Sequence, residues 1–258
     1  MSKILVLPDT QVRPGSDTKH LVNLGKYAAE KKPDVIVCLG DWADMPSLSS
    51  YDVGKKSFEG RMYINDIAAA KDAMAQFLEP IRTEQAKLIT NHKPRWNPRL
   101  VLTLGNHENR INKAVEEDRK LEGLVKLEDL GYEEFGWEVY PFLEPVCIDG
   151  VVFCHYFTSG VMGRPVTTAS ALISKKHQSC IAGHQQGRQV AYGAKADGST
   201  ITSMIIGSFY THDEEYMGHQ GNKHYRGAVM LHEVKDGSFD EMFLSVEYLD
   251  KRKEKHNG

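Results

Sequence analysis

The stretch LVLTLGNHE, residues 100–108, joins an apolar run to polar side chains that are able to bind metals and move protons. A short apolar run that ends at a glycine is typical of a buried β-strand. The glycine permits a tight turn, the amide oxygen of Asn106 can bind a metal, and the imidazole of His107 can act as an acid. The stretch therefore predicts a strand whose end carries reactive groups.

Four other apolar runs, at residues 3–7, 34–39, 151–154 and 179–182, end in the same way. Singly these signals are weak, because an aspartate after a strand is usually a turn or a helix cap. Together, five strand ends at one edge of an open sheet predict a shared crevice, where α/β folds bind ligands. Carboxylates, amides and imidazoles suit manganese, iron or zinc better than calcium. The residues at or after these four ends are Asp9, Gln11, Asp41, Asp44, His155, His184 and Gln186.

Helical patterns at 18–31, 64–79 and 111–130 alternate with the strands, and Pro80 is expected to interrupt the second of them. Alternation of this kind predicts crossover connections and a largely parallel sheet. The second half of the chain instead predicts hairpins, at Asp149-Gly150, Asp197-Gly198 and Asp236-Gly237. We therefore predict an α/β sandwich of two mixed β-sheets flanked by α-helices, formed as a single domain by residues 1–258.

Charge is unevenly distributed along the chain. Residues 111–146 contain ten acidic and four basic residues, whereas the whole chain has a net charge of -3. This segment predicts a helical acidic insert that is either a solvated face or a surface for a partner or a lid. The tail at about 250–258, DKRKEKHNG, is predicted to be frayed.

Composition excludes some classes of protein. The mild negative charge argues against coating nucleic acid through bulk charge, although a nuclease with a local basic groove is compatible with it. Four cysteines without a CxxC pair predict free thiols in a reducing compartment. The apolar run at the N-terminus is too short for a signal peptide, and no run approaches the roughly 18 residues that span a bilayer. We expect a cytoplasmic protein without a membrane partner.

Taken as a set, these motifs resemble those of the calcineurin-like metallophosphoesterases. The family pattern is Asp-x-His, Gly-Asp-x-x-Asp, Gly-Asn-His-Glu, a lone histidine and Gly-His-x-His, and the resemblance runs from Asp9 to Gln186. The chain departs from the pattern at residues 11 and 186, where glutamine replaces the usual histidine. The segments GNHENRI and SGVMGRP are similar in sequence to those of phage-encoded members, which would work in the host cytoplasm.

The resemblance implies a two-metal site in which Asp41 bridges both ions. His107 would be the general acid, with Asp44 orienting it, and Asn106 would also contact the substrate. Arg110 could bind a phosphate, although surface solvation explains it equally well. One metal would be held by Asp41, Asn106, His155 and His184, and the other by Asp9, Asp41, Gln11 and Gln186.

Both departures fall on the same metal position. A glutamine oxygen is a harder and weaker ligand than an imidazole nitrogen, so we predict one tight and one loose site. That ligand set favours Mn²⁺, with Mg²⁺, Fe or Zn²⁺ as alternatives. The other interpretation is that Gln11 and Gln186 only hydrogen-bond waters or neighbouring loops.

The implied reaction is hydrolysis of a phosphoester by metal-activated water. A phosphodiester in nucleic acid or a nucleotide is the first choice of substrate. The alternative substrates are a phosphomonoester and a phosphoprotein. The alternative function is that of a catalytically weakened metal-binding scaffold. Because a scaffold needs neither His107 nor Asp44, the presence of both favours an enzyme. The sequence does not indicate an oligomeric state.

Overall fold

Two β-sheets face each other at the centre of the molecule, in a computed structural model that describes residues 1–50, 53–214 and 218–256. The first sheet has the order β13-β12-β1-β2-β3-β4. Strands β1 to β4 are parallel, and β12 and β13 continue the sheet in antiparallel pairs. Its strands are β1 (Ser2–Leu7), β2 (Val35–Cys38), β3 (Arg99–Thr103), β4 (Glu138–Tyr140), β12 (Gly227–Lys235) and β13 (Ser238–Ser245).

The second sheet has the order β10-β11-β9-β6-β5. Its three central strands are parallel, and its two edge strands pair in antiparallel fashion. A separate ribbon pairs β7 (Thr158–Ser159) with β8 (Arg164–Pro165). The strands of the second sheet are β5 (Val146–Ile148), β6 (Val151–Cys154), β9 (Cys180–Ala182), β10 (Arg188–Ala194) and β11 (Thr200–Ile206).

Helices cover the outer faces of both sheets. Helices α1 and α2 pack on the first sheet, where Leu24 and Phe77 are fully buried, and α4 packs on the second. Between the sheets lies a second apolar layer that includes Val37 and Phe153. These observations confirm the predicted sandwich of two mixed sheets with outer helices. The helices are α1 (Lys19–Lys31), α2 (Tyr63–Thr90), α3 (Arg110–Glu117), α4 (Ala169–Lys176), α5 (Gly218–Gly221) and α6 (Val246–His256).

The five predicted strands and the three predicted hairpins are present. Strands β5 and β6 pair across Asp149-Gly150, and β12 and β13 pair across Asp236-Gly237. In both turns the two residues have positive φ, which is the conformation that Asp-Gly favours in two-residue hairpins. Strands β10 and β11 form the third hairpin, around Gly198.

The prediction that Pro80 interrupts the second helix is wrong, because α2 continues through it to Thr90. A proline inside a helix loses a backbone hydrogen bond, so its place here depends on contacts with another element. Gly25 of α1 approaches so closely that an added Cβ would lie 2.2 Å from the carbonyl oxygen of Phe77. Pro80 itself is buried in this contact, and the packing of the two helices outweighs the local preference.

The acidic segment is only partly helical, which corrects the prediction of a helical insert over 111–146. Helix α3 ends at Glu117, where Asp118 adopts an extended conformation and its side chain accepts a hydrogen bond from Lys120 N. Two short 3-10 turns follow, at Arg119–Leu121 and Leu127–Leu130. Residues 138–140 then join the first sheet as β4.

The predicted frayed tail is also helical over the residues described. Helix α6 continues to His256, whereas residues 257 and 258 lie outside the described residues. Leu249 is buried, and Arg252 Nη2 donates to Glu30 Oε1 at 2.6 Å. These contacts fix the first turns of the helix on α1. No helix within the described ranges is long and apolar enough to cross a membrane.

Candidate active site

Five strand ends meet at one edge of the sandwich. The ends of β1, β2 and β3 bring Asp9, Asp41 and His107 from the first sheet, and the ends of β6 and β9 bring His155 and His184 from the second. Backbone contacts connect these segments. Gln11 N donates to Asp41 O at 2.8 Å, and His184 N donates to Asp9 Oδ1 at 2.9 Å. The predicted convergence of side chains is therefore present.

Asp41, His155 and His184 form the centre of this group, since each presents a ligand atom within 4.8 Å of the others. His155 Nδ1 lies 2.8 Å from Leu39 O, so Nδ1 carries the proton of the neutral ring. Its other nitrogen, Nε2, lies 2.9 Å from Asn106 Oδ1 and 3.3 Å from Asp41 Oδ2. Three atoms with lone pairs thus face one another, which favours a positive charge between them.

The electrostatics agree with this geometry. Burial alone would lower the pKa of His155, but the Asp41 carboxylate raises the pKa to about 9. Burial also opposes ionisation of Asp41, yet the imidazoles of His107 and His155 hold its pKa well below the usual range. Burial, followed by the proximity of His155, lowers the pKa of His184 to about 4, so this ring is neutral, as a metal ligand must be.

The buried carboxylate of Asp9 shows whether the residues at this edge suit a metal ion. Its side chain is buried, and Oδ2 has no hydrogen-bond partner in the part of the chain that the structure describes. Burial raises the pKa of Asp9 to about 7, against the opposing effect of His155. A buried carboxylate oxygen without a partner is unfavourable unless a cation or a proton satisfies it. The donor set at this edge therefore fits divalent metal ions.

His107 lies beside this cluster, in contact with Asp44. Its Nδ1 is 2.8 Å from Asp44 Oδ1, and its backbone N–H donates to Asp41 Oδ1 at 2.8 Å. Burial disfavours the charged ring, but Asp41 and Asp44 together raise the pKa of His107 above its ordinary value. Arg110 donates from Nη1 to Asp44 O at 2.7 Å, and its Nη2 lies 3.2 Å from His107 Nε2. Arg110 thus lies beside the ring, and its positive charge opposes the rise in the pKa of His107 that the two carboxylates cause.

Two glycines are required by the close approach of the loops. A Cβ at Gly105 would lie 2.1 Å from Asp41 Oδ1, and a Cβ at Gly183 would lie 2.5 Å from Asp9 Oδ1. Any side chain at these positions would displace the carboxylates. The glycines of the GNHE and GHQQ motifs therefore have a packing role.

Several residues of the site that are not glycine have positive φ. These left-handed conformations turn the chain sharply directly after a strand, so that the following side chains face the common edge. The residues are Gln11 at 42°, Asp41 at 49°, Met45 at 51° and His184 at 63°.

Glu108 is part of the GNHE motif, but the sequence pattern assigns no role to its side chain. It is fully buried, and its carboxylate accepts hydrogen bonds from the backbone N–H groups of Asp41 and Gly105, both at 2.9 Å. It also accepts from Ala43 N at 3.1 Å and from the hydroxyl of Tyr132 at 3.2 Å. Glu108 thus holds the loops after β2 and β3 together. The only signal in the sequence is its place beside His107.

The two glutamines differ in their surroundings. Gln186 Oε1 accepts a hydrogen bond from the hydroxyl of Tyr210 at 3.0 Å, which is the kind of loop contact that the alternative interpretation of the glutamines describes. Gln11 is buried and lines a cavity next to the cluster.

This cavity has a volume of about 930 Å³ and opens beside His107. Its walls also include Asn106, Arg110 and Arg13. A volume of this size is typical of small-molecule sites, which measure roughly 300–1,000 Å³. The proton-carrying ring of His107 therefore faces a space that can hold a substrate much larger than one phosphate group.

The fold and this cluster, which could hold a metal ion, agree with a metal-dependent phosphoric ester hydrolase. The sequence profile of the calcineurin-like phosphoesterases matches residues 2–185, and the chain belongs to this family. Membership implies a phosphoester substrate and divalent metal ions.

Among solved structures, the phosphoesterase YfcE from E. coli is similar over 94% of this chain and 100% of its own chain, at 11% identity and a TM-score of 0.40. No curated protein gives a significant match.

Proposed function

We propose that this metallophosphoesterase hydrolyses a phosphodiester in nucleic acid or in a nucleotide, with His107 as the general acid. The observation that carries the proposal is the 2.8 Å contact between His107 Nδ1 and Asp44 Oδ1 at the wall of the 930 Å³ cavity. This contact orients the ring through Nδ1, so the proton transfer assigned to His107 uses Nε2, which lies 3.2 Å from Arg110 Nη2.

In this proposal the ligands divide between two metal positions. A tight metal would be held by Asp41, Asn106, His155 and His184, and a loose one by Asp9, Asp41, Gln11 and Gln186. When bound, the divalent cations neutralise charge on the phosphoryl oxygens and lower the pKa of a water to near neutrality. The unpartnered Oδ2 of Asp9 supports the second position, and the contact of Gln186 with Tyr210 supports its weakness. Oxygen ligands at that position favour Mn²⁺ or Mg²⁺ over Zn²⁺.

His107 supplies the proton that the leaving group needs. Water adds to phosphorus, the bond from phosphorus to the leaving oxygen breaks, and Nε2 donates a proton to that oxygen. The attacking water releases a proton of its own, which returns to His107 through solvent. Asp44 stabilises the imidazolium before transfer, and together with Asp41 it raises the pKa of His107 above its ordinary value.

Arg110 and Asn106 hold the phosphate in this scheme. Both line the cavity, and Nη2 of Arg110 lies 3.2 Å from the nitrogen that donates the proton. A guanidinium at that position can contact a phosphoryl oxygen while the leaving oxygen stays near His107. The volume of the cavity leaves room for an organic group on each side of the phosphate, which supports a diester.

The test is a panel of substrates assayed with Mn²⁺. It contains a nitrophenyl monoester, a nitrophenyl diester, single-stranded DNA and RNA. We expect the diester and at least one nucleic acid to be hydrolysed faster than the monoester. Hydrolysis of the monoester alone would instead support a phosphomonoesterase or a phosphoprotein phosphatase.

The acid is tested in the same panel. His107→Ala should lower turnover of a poor leaving group by about 10²- to 10⁴-fold, the usual effect of general acid catalysis, and should affect the activated nitrophenyl esters less. His92→Asn is the control, because His92 is an exposed residue with positive φ, a conformation that asparagine tolerates. Equal losses on both kinds of leaving group would show that His107 does not act as the acid.

A further inference from the structure

Arg13 lies on the wall of the cavity beside Gln11 and His107, and the known features of the site do not account for it. Its guanidinium contacts Asp44 Oδ2 at 3.5 Å and Glu214 Oε1 at 3.3 Å, both through Nη1. Charge-assisted bonds between such groups are normally about 2.7–2.9 Å long. Both contacts are therefore loose, and neither uses the planar fork of the side chain.

Arg13 has donors besides Nη1, and its side chain lines the cavity. Within the described ranges, no protein acceptor takes a hydrogen bond from Nε or Nη2, and the side chain is 32% exposed. A phosphate accepts two parallel hydrogen bonds from such a fork, which a single carboxylate oxygen cannot do. Arg13 is thus available for an anion that binds more strongly than its present partners.

Asp44 separates Arg13 from His107 by the width of one carboxyl group. Its Oδ1 contacts His107 and its Oδ2 contacts Arg13. An anion on Arg13 would therefore lie next to the phosphoester at His107, without occupying the same place. Such an arrangement fits a substrate with two phosphates close together.

Glu214 occupies this anion position in the structure. Its carboxylate also lies 2.8 Å from His212 Nε2, and its backbone forms two hydrogen bonds with Asn222. The loop of Glu214 therefore keeps its place if Arg13 leaves it, because His212 and Asn222 remain as partners. Exchange of Arg13 from Glu214 to a phosphate requires no unfolding of the loop.

We propose that Arg13 forms a second anion subsite, which binds a phosphate adjacent to the one that is hydrolysed, and that Glu214 occupies it in the absence of substrate. The inference rests on the proposed function, since it assigns the substrate a second phosphate. Two sources supply that chemistry: the neighbouring phosphate of an oligonucleotide, and the second phosphate of a nucleoside diphosphate.

The experiment measures binding, so that it does not depend on turnover. Dissociation constants are determined by calorimetry with Mn²⁺ in the His107→Ala background, with and without Arg13→Gln. The ligands are a thymidine dinucleotide without a terminal phosphate, the same dinucleotide with a 5′- or a 3′-terminal phosphate, and the pair AMP and ADP.

With Arg13 present, we expect one terminally phosphorylated dinucleotide to bind about tenfold more tightly than the dinucleotide without a terminal phosphate, or ADP to bind about tenfold more tightly than AMP. A factor of this size corresponds to one charge-assisted contact. Arg13→Gln should remove this ratio. Glu214→Gln should increase it, because a neutral amide competes less for the guanidinium. Arg95→Gln, an exposed arginine after α2, should leave it unchanged.

The outcomes separate the two proposals. If Arg13 only orients Asp44, Arg13→Gln lowers turnover while the binding ratio stays the same, and the inference is wrong. Equal affinities for the ligands with and without the extra phosphate would also overturn it. If the enzyme without substitutions hydrolyses none of the nucleotides while the ratio is present and depends on Arg13, the subsite stands and the proposed function fails.

Discussion

Replacing Glu108 by glutamine tests how the catalytic loops are held together. The Glu108 carboxylate is fully buried, and it accepts from the backbone N–H groups of Asp41, Ala43 and Gly105 and from the hydroxyl of Tyr132. Three of these partners can only donate. A carboxylate accepts from all four, whereas an amide has one accepting oxygen and an NH₂ group that must face donors.

The size of the effect follows from this count. In the better orientation, the amide oxygen of Glu108→Gln accepts from Asp41 and Gly105, and Tyr132 rotates its hydroxyl to accept from the NH₂ group. The N–H of Ala43 then has no acceptor, and a buried donor without a partner costs about 1–3 kcal/mol. For a chain of this length, that loss corresponds to a decrease in Tm of about 2–12 °C. Glu108→Ala leaves the three N–H groups and the Tyr132 hydroxyl without this acceptor, so its loss should be about 4–12 kcal/mol.

The assay is thermal unfolding followed by circular dichroism, with a chelator present so that bound metal does not mask the difference. Glu117→Gln is the matched control, because Glu117 is exposed at the end of α3. Turnover should also fall in Glu108→Gln, since the loop that carries Asp41 and Asp44 loses the acceptor of the Ala43 N–H. A Tm equal to that of Glu117→Gln would refute the reasoning.

Three further predictions concern the metals and pH. Asp41→Asn should abolish metal-stimulated hydrolysis and weaken metal binding at both positions, and substantial remaining activity would disprove the bridging role. Under the proposed ligand division, the purified protein should retain about one metal ion per chain. The double variant Gln11→His with Gln186→His should increase the metal content, measured by mass spectrometry. An unchanged metal content would contradict a loose second site. Burial lowers the pKa of His20 from 6.5 to about 4, so between these pH values only the unfolded chain gains a proton. The free energy of unfolding therefore decreases as the pH falls through this range, and the decrease is about 2 kcal/mol at pH 5. Denaturant unfolding of His20→Gln at pH 8 and pH 5 should lack this part of the decrease, and an equal decrease in both proteins would exclude it.

The strands and the residues at their ends could be predicted from the sequence because both signals are local. Each buried run stops at polar residues such as Asp9 or His155, and the Asp-Gly pairs mark the hairpins. The continuation of α2 past Pro80 could not be predicted, since it depends on Gly25 of another helix.

The role of Glu108 has a similar origin. Its partners are backbone groups of loops that come together only in the fold, and backbone groups leave no mark on a sequence pattern. The same applies to Gln186, whose contact with Tyr210 joins residues from different segments. Metal-binding residue types can thus be recognised along the chain, but the atoms that hold them in place cannot.

The left-handed residues of the site affect the stability of the fold. Gln11, Asp41, Met45 and His184 each adopt a conformation that costs a residue with a side chain about 1–2 kcal/mol. Four such residues use a large share of the roughly 5–15 kcal/mol by which folded domains are stable. Relieving this strain would therefore raise the free energy of unfolding noticeably. Selection for heat resistance alone should favour glycine at positions 11 and 41, and each such gain would remove a proposed ligand.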